Sequence, residues 1–175
     1  MLKKINLKTK KFKIHDIRLS DANRNYANWF KSKSNLKFIQ TANTQLRVKD
    51  LKKYIIEFKN NKKKKLLGIY KLNNLHIGNI SLDKISTNKN FLYLGIFIGN
   101  SKFRNMGIGS ESISLLAKYL FKKTFIKKIY LGVKKNNLQA IKVYKKNGFK
   151  IIKEKKSSLS YVMVLSIKNN KLKLI

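Results

Sequence analysis

Apolar residues recur along this chain with two alternating periods, and the changes of period mark out its elements. Phe12, Ile14 and Ile17 stand among polar neighbours near the start, as in a first strand. Ser20 is placed to cap a helix whose apolar face is Ala22, Tyr26, Trp29 and Phe30, at i, i+4, i+7 and i+8. A polar connection runs from Lys31 to Arg47. Val48, Leu51, Tyr54, Ile55 and Phe58 then repeat the helical spacing, and the charged run Asn60 to Lys65 closes that helix. Leu66 to Leu72 and Leu75 to Leu82 read as a hairpin turning at Asn73-Asn74, because Asn tolerates the positive φ that a two-residue turn requires. In its second strand the alternation changes phase across Gly78-Asn79, which predicts a bulge there.

Phe91 to Ile98 is almost continuously apolar, the pattern of a central strand covered on both faces. A helix follows with Ile113, Leu116, Ala117, Leu120 and Phe121 on one face, and then a strand over Ile129 to Val133. Asn137 to Asn147 reads as a short helix ended by Gly148 in the left-handed conformation. Phe149 to Ile152 and Tyr161 to Ile167 supply closing strands. The order βααβββαβαββ describes an α+β fold, a sheet layered with helices. No repeat or linker interrupts it, so residues 1–175 are read as one domain.

Composition narrows the chemistry. With 43% hydrophobic and 11% aromatic residues the chain can bury a full core. Cys is absent, which excludes a disulfide framework, a Cys-type zinc site, an iron–sulfur site and a Cys nucleophile, and fits a reducing, cytoplasmic setting. No metal is expected. The longest apolar run, Phe91 to Gly99, falls well short of a membrane span, and the start of the chain has no signal-peptide pattern.

Against 42 Lys and Arg stand 7 Asp and Glu, a net charge of +35. Such a balance invites a nucleic-acid partner. Yet only Arg18, Arg24, Arg47 and Arg104 are arginines, and the lysines are spread over the whole chain without forming a stripe or tail. Asn and Ile are plentiful and Pro is missing, so the charge reads as compositional bias at surface positions, and nucleic acid is disfavoured. The charge still raises on-rates for anionic ligands.

The chemistry-bearing stretch begins where the apolar strand runs into Arg104-Asn-Met-Gly107-Ile-Gly109-Ser110 and a helix starts at once. Such a loop leaves backbone N–H groups unpaired along the helix axis, where the dipole adds to them, and so can hold a pyrophosphate. Gly107 and Gly109 allow close approach to phosphate oxygens; Arg104 or Lys102 adds charge and Ser110 a hydroxyl. A Rossmann turn lacks its third Gly here, and a Walker loop lacks Gly-Lys-Ser/Thr. After the next strand, Asn137 and Tyr144 are seven apart and share a helix face.

Paired in this order, the two motifs resemble those of the GNAT superfamily of acetyl-CoA-dependent N-acetyltransferases, and within it the RimJ/RimL-like branch; the likeness runs from about Ile14 to Met163. It implies a mixed, mostly antiparallel sheet flanked by helices. It also implies that Arg104, Asn105, Met106, Gly107, Ile108, Gly109 and Ser110 hold the pyrophosphate of acetyl-CoA, here a co-substrate. Asn137 would contact the pantetheine arm or its surroundings, and Tyr144 would protonate the departing thiolate, with Ala140 and Phe149 as packing positions. The pantetheine would lie along splayed strands near Ile96, Phe97 and Ile98, where a backbone N–H polarises the thioester carbonyl. A neutral amine attacks directly, without a covalent enzyme intermediate.

The implied general base has few candidates among the seven acids. Asp83 and His76 are named, with His15 left as surface and Glu111 complementing the helix dipole. The implied acceptor site draws on the first two helices, hence Tyr26, Trp29, Phe30, Phe38 and Gln40. The basic surround favours a small-molecule amine carrying phosphate, such as a nucleotide-linked amino sugar, over a protein N-terminus, including that of a ribosomal protein. It disfavours a polyamine. A non-catalytic, nucleic-acid-binding module on the same fold is the reading from another class, and an oligomer is compatible with the pattern.

Overall fold

The computed structural model describes residues 2–32, 35, 46–153 and 159–167. Its strands are β1 (Asn6–Lys8), β2 (Phe12–Asp16), β3 (Lys65–Lys71), β4 (His76–Ser86), β5 (Phe91–Ile98), β6 (Lys128–Lys134), β7 (Lys150–Lys153) and β8 (Ser160–Ser166). Its helices are α1 (Arg24–Asn28), α2 (Val48–Asn60), α3 (Ile108–Lys123) and α4 (Leu138–Lys146). The strands form one sheet in the order β1-β2-β3-β4-β5-β6-β8-β7. Every pairing is antiparallel except β5 with β6, so the expected mixed, mostly antiparallel sheet is present.

Most elements follow their apolar period, and the departures have local causes. β1 was not expected: a three-residue, mostly exposed edge strand carries no alternation to read. It reaches β2 through a turn in which Thr9 Oγ1 accepts the Lys11 and Phe12 amides at 3.1 Å. The first helix is capped by Asn23, whose Oδ1 accepts the Tyr26 amide at 3.1 Å, and not by Ser20. The preceding turn is closed separately by the Asp21 carboxylate, which accepts the Arg18 amide at 2.7 Å and the buried Tyr70 hydroxyl at 2.6 Å. In the β3–β4 hairpin Asn74 takes φ 69°, as the turn demands. The bulge lies at Ile77, just before the expected Gly78-Asn79, where pairing passes from Ile69↔Gly78 to Tyr70↔His76.

Two cores hold the sheet. One, built from sheet residues such as Ile14, Leu67, Ile80 and Leu92 with Ile113, Leu116, Ala117 and Leu120, lies under α3. The other gathers Ile17, Tyr26, Trp29, Leu51, Ile55, Phe58 and Leu66 under α1 and α2. β5 divides between them, Ile96 and Ile98 packing on the first and Phe97 on the second.

β5 is not covered on both faces as its apolar run predicts. Leu92 and Leu94 are buried, but Gly95 is exposed and Ile96, Phe97 and Ile98 are only half-buried. The reason is its neighbour: β5 and β6 pair at Phe91↔Lys128, Leu92↔Ile129 and Tyr93↔Tyr130, and then part. The remaining apolar positions of β5 border a wedge that opens toward the loop before α3.

Candidate active site

The loop at the mouth of the wedge is shaped by its own sequence. Asn105 and Gly107 take φ of 60° and 76°, the left-handed region that Asn and Gly tolerate best. Gly107 is thereby the N-cap residue of α3. The first bond closing the helix is Glu111 N–H to the Gly107 carbonyl at 2.9 Å, which leaves the amides of Ile108, Gly109 and Ser110 without helical acceptors. Arg104 donates from Nε to the Ile98 carbonyl at 3.0 Å, fastening the loop to the last residue of β5. Burial lowers the pKa of its guanidinium, which stays charged across the physiological range. A Cβ at Gly109 would meet nothing closer than Ile98 Cγ1 at 3.8 Å, so the space over the helix start is open.

The backbone of β5 also faces the wedge. The Asn90 carbonyl accepts the Lys128 amide at 3.1 Å, so by strand alternation the even-numbered residues turn their N–H and C=O groups toward β6. Beyond Tyr93 these are the groups of Leu94, Ile96 and Ile98. Those of Phe97 turn toward β4.

Helix α4 runs beside the loop and is tied to it twice. Gln139 Nε2 donates to Asn105 Oδ1 near its start, and Asn147 Nδ2 donates to Ser110 Oγ at 2.8 Å just past its end. Asn137 Oδ1 caps α4 by accepting the Ala140 amide at 3.2 Å. At the other end the Phe149 amide donates to the Tyr144 carbonyl and the Gly148 amide to the Lys145 carbonyl, each at 3.0 Å, with Gly148 at φ 88°. This is the Schellman arrangement, and its apolar contact is Tyr144 against Phe149, ring centroids 5.9 Å apart. Tyr144 is thus held by the helix end itself. Burial pushes its pKa up to about 12, so the hydroxyl carries its proton throughout the neutral range.

The base candidates fall at opposite ends of the wedge. Asp83 pairs with Tyr93, and Tyr93 with Tyr130, so Asp83 stands level with the rung where β5 and β6 separate. Burial raises its pKa, against lowering by a Ser81 hydrogen bond and the Lys64 charge. Asp16, Asp21, Asp50, Glu57 and Glu111 each make an ion pair, with Lys65, Arg18, Arg47, Lys64 and Lys11. Asp83 is the one acid that forms none among the described residues.

His76 instead lies beyond the Gly78↔Ile98 rung, at the start of β4 and seven positions along the chain from Asp83, so roughly 24 Å away at about 3.4 Å per residue. Its Nε2 faces the Gly78 carbonyl at 3.1 Å and Asn79 Oδ1 at 2.8 Å, while its ring packs among Tyr26, Trp29 and Tyr70. Burial lowers its pKa. His15, expected at the surface, is half-buried and stacks on Tyr70 with centroids 4.1 Å apart.

The acceptor residues require a correction. Tyr26 and Trp29 are 2% and 6% exposed and belong to the second core; Trp29 lies so close over Gly99 that a Cβ there would stand 2.0 Å from its ring. The apolar helix face that made them candidates is turned inward. Phe30 is half-buried against Tyr26 and Phe97. Phe38 and Gln40 lie outside the described residues. Asn35, which no sequence pattern singled out, is buried and donates from Nδ2 to the Trp29 carbonyl at 2.6 Å and the Gly99 carbonyl at 3.0 Å, pinning the α1 segment to the end of β5. An open groove of about 860 Å³ between α1 and α2 is lined by Arg24, Lys31 and Arg47 over Ala27, Leu46 and Val48. Among the described residues no cluster suits a metal ion, and no helix is long and apolar enough to cross a membrane.

Known proteins share this architecture. Spermidine N-acetyltransferase from Vibrio cholerae, solved with CoA and spermine, superposes with a TM-score of 0.81 at 15% identity, over 92% of this chain and 98% of its own. RimL, the ribosomal L7/L12 alpha-N-protein acetyltransferase, solved with CoA, gives 0.80 at 16% identity over 93% and 97%. A GNAT-family acetyltransferase from Bacillus anthracis gives 0.79 at 17% identity over 93% and 98%. The family model of the acetyltransferase (GNAT) domain matches residues 11–150, taking in the loop, the wedge and Tyr144. The chain belongs to the GNAT family and is an acetyltransferase.

Proposed function

We propose that this enzyme moves the acetyl group of acetyl-CoA directly to the primary amine of a small, negatively charged acceptor, a nucleotide-linked amino sugar before a protein N-terminus. The observation that carries the reading is the wedge: two inner strands part after three paired positions, and three free helix amides stand at the open end. Acetyl-CoA supplies the activated acyl group as a thioester. The amides of Ile108, Gly109 and Ser110 bind the pyrophosphate with the help of the α3 dipole. The pantetheine lies against β5, and the Ile96 amide, which faces the gap, polarises the thioester carbonyl. Phe97 contributes through its ring on the acceptor side, since its backbone turns to β4.

Asp83, level with the vertex, takes the proton from the incoming ammonium, and its raised pKa brings it closer to the working pH of a base. Tyr144 gives its proton to the departing sulfur. Arg24, Lys31 and Arg47 supply the acceptor's anionic group with a cationic groove on the α1–α2 side. A polycationic acceptor meets an unfavourable field on a chain of charge +35.

The test is thiol release from acetyl-CoA across a panel of a nucleotide-linked amino sugar, spermidine and a short peptide with a free N-terminus. The expected order places the sugar first. Spermidine as the best acceptor would overturn the anionic assignment, and no thiol release with any amine, beside binding of acetyl-CoA, would remove the transfer reading.

A further inference from the structure

Asn147 is 5% exposed and lies one residue beyond α4, close in sequence to Tyr144. Its side-chain amide makes two contacts, to the Val143 carbonyl at 2.9 Å and to Ser110 Oγ at 2.8 Å. A carbonyl oxygen only accepts, so the group facing Val143 is the NH2, and the second N–H of that NH2 reaches Ser110. Ser110 Oγ therefore accepts from Asn147, and its own O–H is left to donate elsewhere. Ser110 is the third residue of α3, beside amides that have no helical partner.

We infer that Asn147 is a positioning residue that orients the Ser110 hydroxyl to donate to the pyrophosphate of acetyl-CoA, a role resting on the reading of the 104–110 loop given above. The Gln139 contact to Asn105 holds the other end of the same loop, so α4 sets both the loop and the acid of the reaction as one unit. A hydroxyl free to rotate would divide its proton between the phosphate and other acceptors. A hydroxyl already accepting from Asn147 has that choice removed, and charge-assisted bonds of this type are the stronger ones.

The experiment compares Asn147→Ala, Ser110→Ala and the double variant with the parent enzyme, using acetyl-CoA and acetyl-pantetheine, which lacks the pyrophosphate. Asn147→Ala is expected to raise the KM for acetyl-CoA about 5- to 10-fold, a part of the full worth of one hydrogen bond to a charged group because the Ser110 hydroxyl is disoriented and not removed, with kcat and the KM for acetyl-pantetheine within about 2-fold. Ser110→Ala should give a similar loss, and the double variant no more than Ser110→Ala alone. Asn147→Asp reverses the bond, since a carboxylate accepts from Ser110 and adds negative charge, and it should bind acetyl-CoA more weakly than Asn147→Ala. If Asn147→Ala does not fold, Asn147→Ser carries the same comparison, because its hydroxyl can return to the Val143 carbonyl one turn back while its shorter side chain no longer spans to Ser110.

Two results overturn the inference alone: an unchanged KM for acetyl-CoA in the Asn147 variant, or losses that multiply in the double variant. A parent enzyme with no preference for acetyl-CoA over acetyl-pantetheine would overturn the loop reading together with it.

Discussion

The two sides of the wedge are built by different rules. On the side proposed for the coenzyme, the surface on offer is mainly backbone: three helix amides, the edge of β5, and a loop whose left-handed turns fall on Asn105 and Gly107. On the side proposed for the acceptor it is mainly side chains, brought together from β4, α1 and α2, and much of what looks available there is spent on packing. Tyr26, Trp29, Tyr70 and His76 form a filled aromatic cluster, not a cavity. A site made of backbone tolerates drift in sequence provided its turns survive, whereas a site made of side chains changes its ligand with each substitution. The same contrast fits relatives at 15% and 16% identity that share the fold and differ in acceptor.

The largest effect expected from breaking the coenzyme side is that of Gly109→Val. A Cβ fits the fold there, so the protein should keep its melting temperature within about 3 °C, while acetyl-CoA binding by calorimetry drops about 100-fold or more as the side chain covers the helix amides. Retained binding would move the phosphate site elsewhere. Tyr144→Phe comes next, with kcat down about 100-fold and acetyl-CoA affinity little changed; an unaltered kcat takes Tyr144 out of the acid role.

Asp83→Asn sharpens the other half of the comparison. Its carboxyl has a raised folded pKa, so ionisation weakens the fold: the stability it contributes is present below its unfolded pKa and lost as pH rises through the folded value. The Asn variant should therefore melt slightly higher at pH 7 while losing about 10-fold or more in kcat/KM together with the acidic limb of the pH profile. Lower activity with that limb intact would assign the base elsewhere. The smallest effect belongs to His76. Its folded pKa is lowered, so its contribution is present above the unfolded value near 6.5 and declines as pH falls toward the folded one. Melting temperature should fall modestly from pH 7 to pH 5, with a flatter profile in His76→Phe; identical profiles would leave the aromatic cluster without this titration.

What the sequence disclosed follows the same division. The strand-to-helix loop, the helix of α4 and its Gly148 end are legible because each is a short-range pattern whose backbone requirement is written in adjacent residues. The bulge lies one position from the expected one for want of the β3 register, and Asn23 caps the helix in place of Ser20 because Ser20 lies inside a separate turn, Leu19–Asp21, whose Asp21 also accepts from Tyr70 49 positions away. The ties that set the site, Asn147 to Ser110 across 37 positions and Asn35 to Gly99 across 64, join residues that no periodicity relates. Apolar spacing put Tyr26 and Trp29 on one buried side, although α1 ends at Asn28 and Trp29 opens a 3-10 turn; it could not tell a side turned to core from one turned to ligand.

The early parting of β5 and β6 has a thermodynamic corollary. Strand edges usually lie at the rim of a sheet, whereas here two of them face each other in its interior. In the proposed binding mode a pantetheine along β5 makes hydrogen bonds that the unfolded chain cannot offer, and by mass action the fold would gain roughly 2.7 kcal/mol at a coenzyme concentration one hundred times its dissociation constant. On that reading, resistance to unfolding becomes a gauge of acetyl-CoA supply, and the enzyme would be sturdiest when its acyl donor is abundant.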